Sequence, residues 1–89
     1  MIISNDITVT DIDLAAALMV VTGEKPFKIA PGCELVEFTF TRNELTEQTA
    51  INYVAGKLVL EVRSLAKCRS WLYRQIRDVE TSGTAVIYG

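Results

Sequence analysis

Two aspartates near the amino terminus, Asp11 and Asp13, form a DxD pair of the kind that can ligate a hard cation. They also stand at the predicted start of a helix, where the helix dipole favours acidic side chains. We favour this structural interpretation over a metal site.

Groups suited to catalysis are scarce. The sequence contains no histidine, so it lacks the commonest general base and the commonest transition-metal ligand. Cys33 and Cys68 have no CxxC spacing, and we expect both to be reduced core residues of a cytoplasmic protein. We therefore expect no catalytic residue, no metal, no cofactor and no enzymatic activity.

Positive charge in the last third of the chain is the feature most suggestive of binding. Residues 1–62 hold nine acids and four bases (net −5), whereas residues 63–89 hold five bases and two acids (net +3). On a helix, four of these bases fall within roughly 80° of arc, with Trp71 at the border. These four bases are Arg63, Lys67, Arg74 and Arg77.

This basic face has three interpretations: a solvated helix surface, a contact for an acidic protein partner, or a contact for the phosphates of nucleic acid. Arg74 and Arg77 suit the dipole near a helix carboxyl terminus, but Arg63 and Lys67 oppose it at the helix start unless an acid compensates. Together with Trp71 they are the candidate contact residues.

Residues 11–22 are predicted to form the central helix of the core. Thr10 and Asp13 fit a capping box, and Gly23 fits the left-handed residue that ends many helices. The eight residues after Asp13 are all apolar and cover every side of the helix. Because this run is far shorter than the ~20 residues that span a bilayer, we expect a core helix and no membrane segment.

Two further helices are predicted downstream. Asn43 caps the second, and its apolar arc is expected to face the core. The arc comprises Ala50, Ile51, Val54 and Ala55. Ser64 caps the third, which runs to about Glu80 and carries a core-facing seam at 3, 4, 4, 3 spacing. The seam comprises Leu65, Cys68, Leu72, Ile76 and Val79.

Alternating residues in 25–30 and 34–41 predict an antiparallel hairpin that turns at Pro31-Gly32 in a type II turn. Its covered face is expected to carry Phe27, Ile29, Val36, Phe38 and Phe40. Residues 58–62 form either a strand or a link to the third helix. Residues 84–88 form a last strand, with which residues 7–9 could pair. The predicted fold is a single α+β domain over residues 1–89, a small antiparallel sheet packed against three helices with the first helix central.

Composition supports an ordered domain. The chain is 49% hydrophobic with a net charge of −2, which excludes the pattern of disordered proteins. A domain of 89 residues has little interior relative to this apolar content. Part of the excess is therefore expected at an oligomer interface, and a homodimer is the runner-up explanation for the apolar first helix.

Short stretches spread over residues 8–79 share the pattern of a known family. They are Thr10-Asp11, Leu14-Ala15-Ala16, Leu18, Gly23, Phe38-Thr39-Phe40, Tyr53, Gly56-Lys57-Leu58, Val62-Arg63, Leu65 and Leu72. In this order they resemble the domain of unknown function 5659, a family of small proteins from bacterial, prophage and phage genomes. The resemblance implies a phage- or mobile-element-borne accessory protein, without an established activity or defined site residues. Residues 82–89 extend beyond the pattern.

We therefore expect a non-enzymatic accessory binding protein that acts by macromolecular interaction, for example by inhibiting a host or defence protein. A protein partner is the first expectation. The alternative is a nucleic-acid-binding module that uses the basic face of the third helix.

Overall fold

The computed structural model describes residues 5–87 and contains four strands and three helices. In chain order they are β1 (Asp6–Val9), α1 (Ile12–Thr22), β2 (Lys28–Pro31), β3 (Val36–Thr41), α2 (Glu44–Val54), α3 (Val62–Ser82) and β4 (Val86–Ile87). The strands form one sheet in the order β1-β3-β2-β4, and all neighbours are antiparallel. The predicted α+β fold is confirmed.

The first helix lies at the centre of the core. Ala15, Ala16 and Leu18 are fully buried, and α1 contacts α2, α3 and β1. The alanines leave room for close approach of the neighbouring helices. Gly23, at φ 71°, ends the helix in the left-handed conformation as predicted.

The cap of α1 is one residue later than predicted. The side chain of Asp11 accepts hydrogen bonds from the backbone N–H of Asp13 at 2.9 Å and of Leu14 at 3.3 Å. Asp11, rather than Thr10, is therefore the N-cap. A carboxylate here satisfies two N–H groups that lack a partner within the helix and also suits the dipole.

The sheet contains the predicted hairpin of β2 and β3, but its outer strands pair differently from the prediction. Strand β1 pairs with β3, with Val9 opposite Phe38, and β4 pairs with β2, with Val86 opposite Ile29. The expected pairing of residues 7–9 with the last strand is therefore wrong. That strand covers only Val86–Ile87 of the predicted 84–88, and residue 88 lies outside the described residues. On the covered face Ile29, Val36, Phe38 and Phe40 are buried and Phe27 is half-buried.

The hairpin turn uses glycine for a different reason than expected. Pro31 still belongs to β2 and pairs with Val36, and the N–H of Gly32 donates to the carbonyl of Leu35 at 3.1 Å. Gly32 does not have the positive φ that a type II turn requires at this position. A Cβ there would collide with the Leu35 carbonyl, so the glycine is needed for close backbone approach.

Helix α2 begins as predicted. Asn43 and Thr46 form a capping box in which each side chain accepts from the other's backbone N–H at 2.9 Å. This reciprocal arrangement satisfies two donors at the helix start.

The orientation of α2 is opposite to the prediction. Val54 is 82% exposed and Ile51 is 61% exposed, so the apolar arc expected in the core faces outward. The helix buries Thr46 and Thr49 instead. Their hydroxyls donate to the carbonyls of Thr41 at 3.2 Å and Leu45 at 2.7 Å. Because these polar groups are satisfied locally, their burial carries little penalty.

Helix α3 confirms its core seam but begins earlier than predicted. Leu72 and Val79 are fully buried, and Leu65, Cys68 and Ile76 pack against the core. The N-cap is Glu61, and Ser64, the expected cap, lies inside the helix. Residues 57–61 are a link rather than a strand.

The prediction of two buried cysteines is wrong for one of them. Cys33 is exposed in the hairpin turn, Cys68 is half-buried, and both thiols are free. Between residues 5 and 87, no helix combines the length and apolar composition needed to cross a bilayer.

Candidate functional site

An open groove of about 580 Å³ lies between α3, the last turns of α1 and the segment that follows α1. Its lining consists of Met19, Lys25, Arg63, Ala66, Lys67, Cys68, Ser70, Trp71 and Arg74. We call it the cationic groove, because four of these residues are basic and none of the described lining residues is acidic. The cationic groove brings together four of the residues predicted from the sequence, which are Arg63, Lys67, Arg74 and Trp71. Arg77 is exposed but lies outside this lining.

Trp71 forms an aromatic wall of the cationic groove. It is half-buried and packs against the core, and the Nζ of Lys25 lies 4.8 Å from the centroid of its ring. This is a cation–π contact, typically worth ~0.5–1 kcal/mol at exposed sites. The contact fixes a positive charge over the ring, so a ligand in the groove meets an aromatic surface and a cation together.

The cations of the groove have no ionic partner in the part of the chain that the structure describes. Two ion pairs occur there: Arg42 with Glu47 at 3.6 Å, and Arg69 with Asp13 at 3.0 Å. Neither uses a lining residue. Four uncompensated charges around one concavity raise the local concentration of anions.

The start of α3 carries charges of opposite sign, because the N-cap Glu61 suits the helix dipole and Arg63 opposes it. Within the described part of the chain, the Glu61 side chain makes no capping hydrogen bond, and the first turn of α3 contains no acidic residue. Arg63 occupies the second helical position instead, with Lys67 one turn further on. A cation in the first turn opposes the helix dipole by ~0.3–1 kcal/mol. Within residues 5–87, neither Glu61 nor an acid of α2 forms an ion pair with Arg63 or Lys67.

The acids that could have formed a metal site serve structural roles. Besides capping α1, Asp11 accepts a hydrogen bond of 2.7 Å from the hydroxyl of Tyr53, which joins α2 to α1. Asp13 joins α1 to α3 through its ion pair with Arg69. The structural interpretation of the DxD pair is confirmed. Over residues 5–87, no group of three or more potential ligands is placed to hold a metal ion.

The contact between Asp11 and Tyr53 shifts the pKa of both side chains. For Tyr53, the hydrogen bond to Asp11, with partial burial and the nearby negative charges, raises the pKa to about 12. For Asp11, partial burial acts to raise the pKa, but the hydrogen bonds from Tyr53 and from the N–H of Leu14 and Asp13 outweigh it. The pKa of Asp11 is therefore lowered.

Sequence reasoning missed Lys25, which reaches the cationic groove from the segment between α1 and β2. Lysine in a connecting segment is ordinary, and no local pattern shows that this segment ends beside Trp71. Cys68, the thiol of the groove, is not activated, because burial raises its pKa and favours the neutral form.

The arrangement is suited to holding an anionic group. Arginine can donate two parallel hydrogen bonds to a carboxylate or a phosphate, lysine adds a point charge, and Trp71 adds a flat apolar surface. Ser70 and the unactivated Cys68 are the hydroxyl and the thiol of the described lining, and neither a histidine nor a carboxylate accompanies them there.

Comparison with protein-family models, with curated proteins and with solved structures finds no match for this chain. The resemblance to the domain of unknown function 5659 stays a prediction.

Proposed function

We propose that this protein is a non-enzymatic binding protein that acts by holding an anionic region of another macromolecule in its cationic groove. The observation that carries the proposal is that four cations line one groove together with Trp71 and that none of the four has a described ionic partner. Placing Arg63 in the first turn of α3 works against the helix dipole, whereas Lys67, the sixth residue of the helix, lies beyond that turn. Local rules broken in this way are typical of functional sites.

The first partner we propose is a protein with an acidic segment. The groove is short, and Met19, Ala66 and Trp71 give it an apolar wall that suits an aliphatic or aromatic side chain beside carboxylates. The chain as a whole carries a net charge of −2, which disfavours wrapping by a long polyanion. Inhibition of a host or defence protein by a phage- or mobile-element-encoded factor is one form of this function.

The second candidate is binding of nucleic acid. Trp71 favours it, because an aromatic ring among cations can stack a base while arginine and lysine hold the flanking phosphates. Loss of one phosphate contact would then reduce the salt dependence of binding by about 0.7–0.9 in the logarithmic slope.

Site-specific photo-crosslinking tests both candidates. A benzophenone amino acid replaces Ser70, an exposed residue of the groove lining, in protein produced in its native host. We expect a covalent adduct with a protein after irradiation. The same replacement at Thr8, which is exposed on the sheet, is the control and should yield much less.

The variant Arg63→Ala/Lys67→Ala/Arg74→Ala should abolish the adduct, whereas Arg77→Ala, outside the groove lining, should retain it. Circular dichroism checks that both variants remain folded. An adduct with nucleic acid would replace the first candidate by the second. No groove-dependent adduct of either kind would refute the proposed function.

We also propose action in the cytoplasm, which the free thiols of Cys33 and Cys68 support. The homodimer expected from the high apolar content of the chain is a separate proposal and does not involve the cationic groove.

A further inference from the structure

The turn of the β2–β3 hairpin combines negative charge with an exposed aliphatic side chain. Leu35 is 60% exposed. In the sequence it stands between Glu34, which is exposed, and Glu37, which is half-buried. We call residues 32–37 the acidic turn. Its composition, an aliphatic side chain beside carboxylates, is the one that the cationic groove suits.

The surroundings of the acidic turn are negative as well. Two depressions adjoin it, and their described lining holds no basic residue but three acids, Glu34, Glu37 and Glu80. The described lining of the cationic groove, by contrast, holds four bases and no acid. None of these charges takes part in the ion pairs recorded for residues 5–87. The two surfaces are therefore complementary in charge.

Contacts within the hairpin hold the acidic turn in place. The N–H of Gly32 donates to the carbonyl of Leu35 at 3.1 Å, which closes the turn. The side chain of Glu37 lies over Gly32, with Oε2 3.0 Å from the position that a Cβ would occupy. A segment that is already ordered loses less conformational entropy when it binds.

The acidic turn and the cationic groove lie on different sides of the molecule. Their described linings share no residue. Both border α3, but Tyr73, Ile76 and Glu80, beside the turn, are centred ~130° around that helix from the three cations of the groove. These cations are Arg63, Lys67 and Arg74. The turn is thus directed away from the groove of its own chain, and it can enter only the groove of another copy.

We propose that the acidic turn of a second copy occupies the cationic groove and competes there with the anionic partner, a regulation that rests on the function proposed above. Leu35 of one copy packs against Met19 and Trp71 of the next, and its carboxylates face the cations. Because the two contacting surfaces differ, the contact is head-to-tail, and copies join into a ring or an open chain. It is distinct from the homodimer expected from the apolar content.

The small size of the acidic turn sets the strength of this contact. One turn in one groove buries far less than the ~1,200 Å² at which standard interfaces begin. The association is therefore weak, and its extent rises with protein concentration. Exposed charges carry much of it, so it should weaken as salt shortens the Debye length from ~8 Å at physiological ionic strength to ~3 Å at ~1 M.

Sedimentation equilibrium over a wide range of protein concentration tests the self-association. The average mass of the wild type should rise with concentration and return to that of the monomer in ~1 M salt. The turn variant Glu34→Lys/Leu35→Ser should stay monomeric, because it reverses a charge and removes the aliphatic side chain. The matched control Glu44→Lys/Leu45→Ser makes the same two changes at the start of α2, where Leu45 is 48% exposed. It should associate like the wild type.

Mixing two variants tests the head-to-tail geometry. The groove variant Arg63→Ala/Lys67→Ala/Arg74→Ala should also be monomeric alone. Its intact acidic turn fits the intact groove of the turn variant, so an equimolar mixture should form a one-to-one dimer that grows no further. Circular dichroism checks that each variant is folded. A wild type that stays monomeric, a turn variant that associates as the wild type does, or a mixture without dimer would overturn the proposal.

Photo-crosslinking at position 70 distinguishes self-association from binding of another macromolecule. The turn variant keeps the cationic groove, so it should retain the adduct with that macromolecule and lose the adduct between two copies, which mass spectrometry recognises by its doubled mass. An adduct with another macromolecule but none between copies would refute the self-association and leave the proposed function standing. Adducts between copies alone would support the self-association and refute the proposed function.

Discussion

Replacing Arg63 by glutamate should make the protein more stable while it destroys the cationic groove. Arg63 stands at the second position of α3, where the first turn carries no acid and the described contacts of the N-cap Glu61 include no side-chain hydrogen bond. Arg63→Glu replaces an unfavourable charge by a favourable one in the field of the helix dipole. It also converts the like-charge spacing of Arg63 and Lys67 into an attractive glutamate–lysine spacing four residues apart.

The expected gain follows from these two effects. Removing the cation recovers ~0.3–1 kcal/mol, and the new carboxylate contributes a similar amount. The change at the i, i+4 spacing adds ~0.2–0.5 kcal/mol. Arg63 is exposed, so screening by salt brings the total to the lower end, about 1 kcal/mol. For a domain of this size, that corresponds to a rise of ~4–8 °C in Tm.

Thermal and urea unfolding followed by circular dichroism measure this gain, first at low ionic strength and then in high salt, where most of it should disappear. Arg74→Glu is the matched control. Arg74 lines the same groove but lies in the middle of α3, where the dipole has little effect, so it should give no gain. Both variants should lose partner binding.

A stability of Arg63→Glu equal to or below that of the wild type at low salt would refute the reasoning. The start of α3 would then gain nothing from an acid. The argument that Arg63 is placed for binding against the preference of the helix would fail with it.

Further outcomes test the fold. Leu72→Ala removes a fully buried side chain and should lower the free energy of unfolding by ~2–5 kcal/mol. Val54→Ala, at an exposed site, should change the same free energy by less than ~0.5 kcal/mol. Urea denaturation compares the two variants, and equal losses would contradict the outward orientation of α2. Asn43→Ala removes the cap of α2 and should cost ~0.5–2 kcal/mol in the same assay. Absorbance titration should show a phenol with a pKa of about 12, assigned to Tyr53 by its loss in Tyr53→Phe. The folded pKa of this phenol is raised, so the stability it contributes is complete below pH ~10 and is lost as the pH rises through about 12. For Asp11 the folded pKa is lowered, so its contribution is present above its ordinary pKa and is lost as the pH falls through the lowered value.

The parts of the fold that sequence predicts well are those where one pattern has one physical solution. Helix α1 is apolar on every side, so any orientation at the protein surface would expose apolar side chains to water. The helix therefore lies at the centre of the core. The seam of α3 keeps a helical period through Leu72 and Val79, and both are fully buried. Arg63, Lys67, Trp71 and Arg74 follow at intervals of four, four and three, which places them on adjoining sides of one helix.

The parts that sequence does not predict depend on competition between distant segments. Alternation identifies the strands but not their order, so the pairing of β1 with β3 could not be derived. Helix α2 has an apolar arc and a threonine side, and hydrophobicity alone favours burying the arc. The hydroxyls of Thr46 and Thr49 donate to carbonyls within or beside their own helix, which removes most of the penalty for burying the threonine side.

The groove itself also shows this limit. Lys25 belongs to the segment that follows α1. It reaches Trp71 because α1 packs against α3. A contact of this kind follows from tertiary packing and has no local sequence signal.

Collisional quenching of Trp71 fluorescence by ions of opposite charge tests the positive potential of the cationic groove most directly. Trp71 is the single tryptophan of the chain, so the signal comes from the groove alone. Lys25 Nζ, 4.8 Å from the ring centroid, attracts a unit negative charge at that distance by ~0.9 kcal/mol in water, or ~0.5 kcal/mol at physiological ionic strength.

This single lysine should therefore raise quenching by iodide about twofold in physiological salt, relative to the neutral quencher acrylamide, with Arg63, Lys67 and Arg74 adding to it. Caesium should quench poorly. We predict that the ratio of iodide to caesium quenching, divided by the same ratio for N-acetyltryptophanamide, exceeds one in the wild type. This normalised ratio should fall towards one in Arg63→Ala/Lys67→Ala/Arg74→Ala combined with Lys25→Met. A normalised ratio of one in the wild type would contradict an uncompensated cationic groove and with it the proposed function.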